Sequence, residues 1–374
     1  MSERRPHLRV LRGGVPEGLI EPIAGPYAPG AEAEPVRGPR LRRETLTLPD
    51  GHQVGLAVSG RGIPLVVVHG FMAEGFLYAQ TLSRLVSMGY KVVAIDAAGH
   101  GGTQGLPTGG GRLEDYADLL RRCIDELGIR RAILAGHSMG GRLVADLAAD
   151  HPHRAIAVIL LDAIVGDTWD RMMTLFRLAP PALAALGMAL ALDTARTMPV
   201  FGDPRQATKL FRLLTPTVAG NVRRPWRLIG PGISLLRSAN SRDTLEKLAA
   251  ADVPVFAIHG DRDFGVPLRT AEDAIARTGG RLVVVHGGTH SWLLRDPETL
   301  PAIVYDLVGG ELGVAQRFAL RDAGLVPGTA SVDDVEGALY EPGALALELT
   351  PDPDPEPADD QRVPRYEWTV ASQA

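Results

Sequence analysis

The sequence predicts an α/β fold with a mostly parallel, doubly wound sheet and a helical cap inserted after the sixth strand. Short apolar runs recur without polar alternation, which is typical of strands buried on both faces of a parallel sheet. Helix-like segments separate these runs, and strand–helix alternation predicts helices on both faces of one sheet. One long stretch breaks the alternation and shows only a helical pattern.

The strand-like runs begin with a pair at 44–48 and 54–58. These two flank Pro49-Asp50-Gly51, which is a typical hairpin turn sequence. The later runs are continuous and apolar, as expected for central strands. They lie at 64–68, 91–96, 132–135, 155–161, 254–258 and 281–285.

Helical periodicity fills the gaps between most of the strand-like runs. The predicted helices lie at about 76–88, 113–127, 140–149, 268–277 and 298–308. Residues 164–250 show no strand pattern, and they are rich in leucine, alanine and methionine. We therefore expect this segment to form the cap between the sixth and seventh strands.

The domain organisation follows from this alternation and from the ends of the chain. The 374 residues exceed one average domain, and 44–163 with 251–310 form the predicted core. Residues 1–43 hold seven prolines and six glycines, and 344–374 form an acidic, proline-rich tail with seven acids. Such composition buries little apolar surface, so both arms are expected to be flexible. Residues 311–343 are not assigned to the core or to the tail, and a helical appendage is one interpretation of them.

Composition excludes several classes of protein. A net charge of −5 and a pI of about 6.1 give no support to nucleic-acid binding. A single cysteine, Cys123, excludes an intramolecular disulfide and an all-cysteine metal cluster. The longest uncharged apolar tract, 178–192, has 15 residues, whereas a membrane-spanning helix needs about 20. No apolar segment follows the early arginines, so we expect a cytoplasmic protein.

The sharpest local signal is Gly136-His137-Ser138-Met139-Gly140, directly after the run at 132–135 and before a predicted helix. A serine on such a tight strand-to-helix turn projects its hydroxyl from the carboxyl edge of the sheet. The bare pattern also occurs by chance in ordinary loops. The strand–turn–helix context favours Ser138 as a nucleophile.

With this turn, the chain resembles the α/β-hydrolase fold superfamily, in particular its serine esterase and monoacylglycerol-lipase-like members, over residues 44–310. Four further segments carry the resemblance, in the order and at spacings that the family shows. They are His69-Gly70-Phe71, Asp96-Ala97-Ala98-Gly99-His100-Gly101, Ile258-His259-Gly260-Asp261-Arg262-Asp263 and Gly288-Thr289-His290-Ser291-Trp292.

The resemblance implies a catalytic triad of Ser138, Asp263 and His290. The backbone N–H groups of Phe71 and Met139 would form the oxyanion hole, and no cofactor or metal is implied. Two other carboxylates remain candidates for the acid: Asp261 lies two residues from Asp263, and Asp162 ends the sixth strand-like run. His151 and His153 form a His-Pro-His pair, but no carboxylate or cysteine joins them at ligand spacing.

The expected activity is hydrolysis of a carboxylic ester, a small molecule with an apolar acyl group. Alternatives are a carbon–carbon bond hydrolase, a lactonase or a cofactor-free perhydrolase with the same triad, and a non-catalytic binding protein on this scaffold. The apolar tract of the cap predicts an acyl pocket, with a weak contact to a membrane surface left open. Oligomeric state is not readable from the sequence. The candidate pocket residues are Leu183, Leu186, Met188, Leu190 and Trp292.

Overall fold

A nine-stranded sheet organises the part of the chain described by the computed structural model, residues 41–106, 111–197, 204–238, 240–349 and 364–371. Its spatial order is β1-β2-β4-β3-β5-β6-β7-β8-β9. The strands are β1 Arg42–Thr47, β2 Gln53–Ser59, β3 Ile63–Val68, β4 Tyr90–Ile95, β5 Ala132–His137, β6 Ala155–Leu161, β7 Val255–Gly260, β8 Arg281–Val285 and β9 Trp368–Val370.

Strand direction fixes where a site can form. The strands from β3 to β8 pair in parallel, whereas β1, β2 and β9 join antiparallel at the two edges. From β3 the chain passes to β4 on one side and then to β5 on the other. Such a reversal of direction in the strand order opens a crevice at the carboxyl ends of β3 and β5. His69-Gly70-Phe71 and Ser138 follow these two strands.

The described helices alternate with the strands and then extend beyond them. In chain order they are α1 Ala79–Ser87, α2 Leu113–Glu126, α3 Met139–Asp150, α4 Asp167–Leu178, α5 Pro180–Thr197, α6 Pro204–Arg223, α7 Ile229–Arg237, α8 Ser241–Ala250, α9 Leu268–Thr278, α10 Trp292–Arg295, α11 Thr299–Gly309, α12 Glu311–Asp322, α13 Val332–Leu339 and α14 Leu345–Glu348. A 3-10 turn, Gly75–Tyr78, precedes α1, so this helix begins later than its sequence pattern predicts.

Packing contacts place the helices in layers on the sheet. α2, α3, α8 and α9 contact one another in succession, and α1, α11 and α12 form a second group. In α2 the buried Leu113, Tyr116, Leu120 and Ile124 recur every three or four residues, which places them on one face. The central strands are buried along nearly their whole length. The predicted fold class is confirmed.

The insertion between β6 and β7 is helical throughout its described residues, comprising α4 to α8 with a 3-10 turn, Pro225–Leu228. It reaches the loops at the carboxyl edge of the sheet. Arg227 donates hydrogen bonds to the carbonyls of Gly101 and Thr103 after β4. Asp193 accepts a hydrogen bond from the N–H of Ser291 after β8, at 3.1 Å. The cap therefore lies over the end of the sheet where the predicted site residues gather.

The end of the chain is more ordered than its composition predicts. α12 and α13 form the helical appendage in 311–343, and Glu336 of α13 accepts from Arg61 at 2.6 Å. The expectation of a flexible tail over 344–374 is wrong for 364–371, because β9 pairs with β8. Residues 350–363 and 1–40 lie outside the described residues, and at the other arm Arg42 and Arg43 already belong to β1.

Candidate active site

Ser138 occupies a strained turn between β5 and α3. Its φ of 53° and ψ of −116° are unfavourable for a residue with a side chain, so the surrounding structure must hold it there. The flanking glycines are required by close backbone approach. A Cβ at Gly140 would overlap the carbonyl oxygen of Val68, and one at Gly136 would overlap that of Gly140. The half-buried serine is thus presented at the end of β5.

His290 and Asp263 are brought together from the turns after β8 and β7. His290 Nδ1 lies 2.7 Å from Asp263 Oδ2, and both side chains are buried. The other oxygen, Asp263 Oδ1, accepts from the N–H groups of Gly265 and Val266, each at 2.8 Å. Because an ionised carboxylate only accepts, the neutral form of His290 carries its proton on Nδ1 and has its lone pair on Nε2.

Electrostatics favours the charged form of this pair. Burial lowers the pKa of His290, but the charge and hydrogen bond of Asp263, with the charges of Asp162 and Asp193, raise it to about 9. Burial raises the pKa of Asp263, but the charge and hydrogen bond of His290 outweigh it and hold the pKa below its usual value. An imidazolium formed during catalysis is therefore stabilised at His290.

Asp261 and Asp162, the two other candidates for the acid, each bind backbone or side-chain donors away from His290. Asp261 accepts from the N–H of Gly287 at 2.7 Å and pairs with His286, so it braces the turn after β8. Asp162 follows β6 at a positive φ of 44° and is fully buried. Its oxygens accept from the N–H of Gly260 at 2.9 Å and from Trp292 Nε1 at 2.7 Å. Asp162 thus ties the turn that carries Asp263 to the loop that carries His290.

The loop after β3 packs directly on the serine turn. A Cβ at Gly70 would lie 3.1 Å from Ser138 Cβ, so glycine allows this close approach. Phe71 comes next, and Met139 opens α3, where the helix dipole is positive. Among the turn and loop hydrogen bonds of the described residues, none uses the N–H of Phe71 or Met139. The assignment of these two N–H groups to an oxyanion hole stays a prediction.

Two histidines, His137 and His69, hold loops of the site in place through hydrogen bonds. His137 Nε2 donates to the carbonyl of His290 at 3.0 Å, and its Nδ1 accepts from the Tyr78 hydroxyl at 3.0 Å. Burial, and then the charge of His290, lowers the pKa of His137 to about 3, so it stays neutral. His69 Nε2 accepts from the N–H of Ala97 at 3.0 Å, which fixes the loop that carries Phe71. The sequence offered no signal for Tyr78.

The predicted acyl-pocket residues differ in their exposure and surroundings. Leu190 is half-buried on α5, and a Cβ at Gly265 beside the Asp263 turn would overlap its side chain. Leu186 is also half-buried and packs against the core. Met188 is 63% exposed, and Trp292 is fully buried with its indole bonded to Asp162, so neither lines a pocket. The side chain of Leu183 lies outside the described residues.

Asp162, His259 and Asp263 form a buried cluster that could in principle bind a metal ion, but their hydrogen bonds argue against it. Their nearest ligand atoms lie within 4.8 Å of one another. His259 Nε2 donates to the carbonyl of Val266 at 2.7 Å, however, so that nitrogen carries a proton. The carboxylate oxygens already accept N–H donors from the chain, as described above. Asp162 and His259 form a hydrogen-bonded support beside Asp263 and the loop that carries His290.

The fold, the serine turn and the Asp263–His290 pair together define an α/β hydrolase. The sequence model of the alpha/beta hydrolase family matches residues 65–302, and the chain belongs to that family. This confirms the superfamily that the sequence motifs indicated.

The relatives of this chain include proteins named as haloperoxidases and proteins named as esterases. A protein of Mycobacterium phage D29 called a putative non-heme haloperoxidase is 35% identical over 267 residues, which cover 69% of this chain and 92% of the relative. A pimeloyl-[acyl-carrier protein] methyl ester esterase of Neisseria meningitidis is 28% identical over 271 residues, covering 70% and 81% respectively. Both alignments cover most of the relative and leave part of this chain unmatched.

Solved structures share the fold at low sequence identity. One from a study of carboxylesterases of the thaumarchaeon Nitrososphaera gargenis superposes with a TM-score of 0.56 at 24% identity, covering 74% of this chain and all of that one (100%). Est816, described as degrading N-acyl homoserine lactones, gives 0.55 at 18%, covering 72% and 100%. None of the helices in the described ranges has the length and apolarity needed to cross a membrane.

Proposed function

We propose that this hydrolase cleaves carboxylic esters with an apolar acyl group, using Ser138 as nucleophile, His290 as base and Asp263 as the supporting acid. The observation that carries the proposal is the 2.7 Å contact between His290 Nδ1 and Asp263 Oδ2 beside a serine in a strained turn. A serine hydroxyl is a weak nucleophile until a neighbouring base takes its proton, and this pair supplies such a base.

The first half of the reaction forms an acyl-enzyme. His290 Nε2 removes the proton of Ser138 as the hydroxyl oxygen attacks the ester carbonyl carbon. The N–H groups of Phe71 and Met139 donate to the resulting oxyanion, and each such donor contributes about 3–4 kcal/mol to transition-state stabilisation. The imidazolium then protonates the leaving alcohol as the carbon–oxygen bond breaks.

The second half returns the enzyme to its starting state. His290 takes a proton from water, and the hydroxide attacks the acyl carbonyl. The second tetrahedral intermediate uses the same two N–H donors, and collapse returns the proton to Ser138 and releases the acid. Throughout, Asp263 keeps the proton of His290 on Nδ1 and stabilises the imidazolium, without becoming protonated itself.

An apolar acyl group suits the surroundings of the triad better than a charged one. Leu190 packs beside the Asp263 turn, and Phe71, in the loop that packs on the serine turn, is partly buried. The relative from Neisseria meningitidis is named for a methyl ester of an acyl group on a carrier protein. Lactones are cyclic esters and fit the same chemistry, as does the carbon–carbon bond hydrolase alternative with the same triad.

The test is covalent labelling combined with ester turnover. A fluorophosphonate probe should label the unmodified protein, and Ser138→Ala should lose both the label and p-nitrophenyl ester hydrolysis. Ser87→Ala on α1, whose hydroxyl bonds the carbonyl of Ser83, is the matched control and should retain both. Absence of both labelling and turnover in the unmodified protein would favour the binding-protein alternative.

A second candidate, cofactor-free perhydrolysis, is favoured by the names of the haloperoxidase relatives. Hydrogen peroxide would replace water against the acyl-enzyme, giving a peracid and free Ser138. The peracid would then oxidise bromide in solution. Bromination of phenol red in acetate with peroxide should depend on Ser138 if this holds, whereas peroxide-independent ester turnover with no bromination supports hydrolysis alone.

A further inference from the structure

One segment of the cap has a charge opposite to that of the molecule. Residues 204–240 contain seven arginines and lysines and no aspartate or glutamate, although the whole chain has a net charge of −5. The rest of the chain therefore carries −12. Such asymmetry concentrates positive potential on one part of the surface and negative potential elsewhere.

The exposed side of α6 carries an apolar stripe. Phe211, Val218 and Val222 are 64%, 54% and 72% exposed, and their spacings of seven and four residues place them on one line along the helix. A neighbouring side of the helix, about 90° away, packs inward through Leu210, Leu214 and Thr217. The stripe is therefore additional to the face that anchors α6 on the protein.

The stripe continues into the turn after α6 and is flanked by unpaired cations. Trp226 is 63% exposed. Arg223 and Arg224 are exposed, and neither side chain makes an ion pair or hydrogen bond with the part of the chain that the structure describes. We call Phe211, Val218, Val222, Trp226, Arg223 and Arg224 the basic cap surface.

The basic cap surface borders the predicted oxyanion loop. Asn221, next to Val222, donates from its side-chain amide to the carbonyl of Met72 at 2.8 Å. Met72 follows Phe71 and is 52% exposed. A molecule docked on this surface would therefore lie beside the mouth of the Ser138 site.

We propose that the basic cap surface docks on a membrane that contains anionic lipids. Exposed aromatic and aliphatic side chains beside arginines match the boundary between acyl chains and phosphate headgroups. The −12 carried by the rest of the chain is repelled by the same membrane, which orients the cap toward it. A second copy fits less well, because two such surfaces would bring unpaired arginines face to face. The inference does not require the proposed ester chemistry.

Vesicle sedimentation tests the docking directly. The full chain should pellet with vesicles of phosphatidylglycerol and phosphatidylcholine, should do so far less with phosphatidylcholine alone, and should be released by salt. Loss of two arginines in Arg223→Gln/Arg224→Gln should weaken binding about 30-fold. Phe211→Ser/Trp226→Ser should weaken it as well. The control Arg321→Gln/Val326→Ser removes one exposed cation and one exposed apolar side chain on and after α12 and should bind like the unmodified protein.

Tryptophan fluorescence adds a readout specific to the surface. Trp226 is exposed, whereas Trp169 and Trp292 are buried, so a blue shift on vesicle addition that disappears in Trp226→Phe locates the contact. Ser138→Ala should bind vesicles normally, which separates docking from catalysis. Equal binding to both vesicle types, no binding, or dimers in ultracentrifugation that Phe211→Ser abolishes would each overturn the proposal.

Discussion

Single side chains in this protein connect parts that are remote in the chain. Asp193 belongs to the cap, yet its carboxylate accepts from the N–H of Ser291 and its charge contributes to the raised pKa of His290. Asp162 lies under the acid turn and holds Trp292 of the histidine loop. The candidate base is thus tuned by three carboxylates, of which only Asp263 contacts its ring.

The pH dependence of ester turnover should show the effect of these carboxylates on the pKa of His290. His290 must be neutral to act as a base, so kcat/KM should rise with pH and reach half its maximum near the pKa of about 9. Asp193→Asn removes a negative charge and keeps an acceptor oxygen, so the pKa should fall and the rising limb should move to lower pH. Asp322→Asn on α12 is the control. An unmoved limb in Asp193→Asn would contradict this account.

Replacing each of the three candidate acids by asparagine should lower kcat by a different amount. Asp263→Asn removes the contact with Nδ1 and should lower kcat by several orders of magnitude, by analogy with other triads. Asp162→Asn leaves either Gly260 or Trp292 without an ideal acceptor and should lower kcat moderately. Asp261→Asn should have little effect on kcat, since its partners lie in the turn after β8. A larger loss in Asp162→Asn than in Asp263→Asn would reassign the acid.

At the scale of elements, residues 364–371 brace the loop that carries His290. Tyr366 packs edge-on against Trp292, with ring centroids 6.1 Å apart, and the N–H of Arg365 donates to Asp296 at 2.8 Å. β9 closes the edge of β8 beside them. These contacts contradict, for residues 364–371, the expectation that the tail is flexible.

Truncation after residue 349 should therefore lower both the melting temperature and kcat. Tyr366→Ala should reproduce part of the loss, because an aromatic pair contributes about 0.5–1.5 kcal/mol beyond buried area. For a domain of this size each kcal/mol corresponds to roughly 2–4 °C. Val370→Ala on β9, 42% exposed, is a milder control. Thermal unfolding unchanged after truncation would show that β9 contributes no stability.

At the scale of the whole molecule, the cap contacts the loops at the carboxyl edge of the sheet, the edge at which Ser138 lies. α5 contacts both catalytic turns: Leu190 beside Gly265, and Thr194, whose hydroxyl lies 3.0 Å from that of Ser291. In the proposed function, the acyl site and the triad would therefore share one helix of the cap, and we expect them to be coupled through it.

Chain-length dependence of ester turnover measures this coupling. Each methylene buried against the cap should contribute up to ~0.8 kcal/mol, so kcat/KM should rise from acetate toward about octanoate esters. Leu190→Ser should flatten the rise more than it lowers acetate turnover. Met188→Ser, at an exposed position on the same helix, is the matched control and should keep the full slope. A flat profile in the unmodified enzyme would favour a small polar substrate.

Local pattern by itself determined the α/β class, eight of the strands, the helical cap and the elbow at Ser138. Those features depend on apolar periodicity and on glycines next to a serine, which are readable over a few residues. β9 is short and follows an acidic, proline-rich stretch, so its pairing depends on the edge that β8 leaves open. Only tertiary structure decided that Asp263, rather than Asp261, contacts His290, since two residues in a turn point in different directions. It also made Trp292 a core residue and Tyr78 a support of the site, because both depend on partners more than 50 positions away.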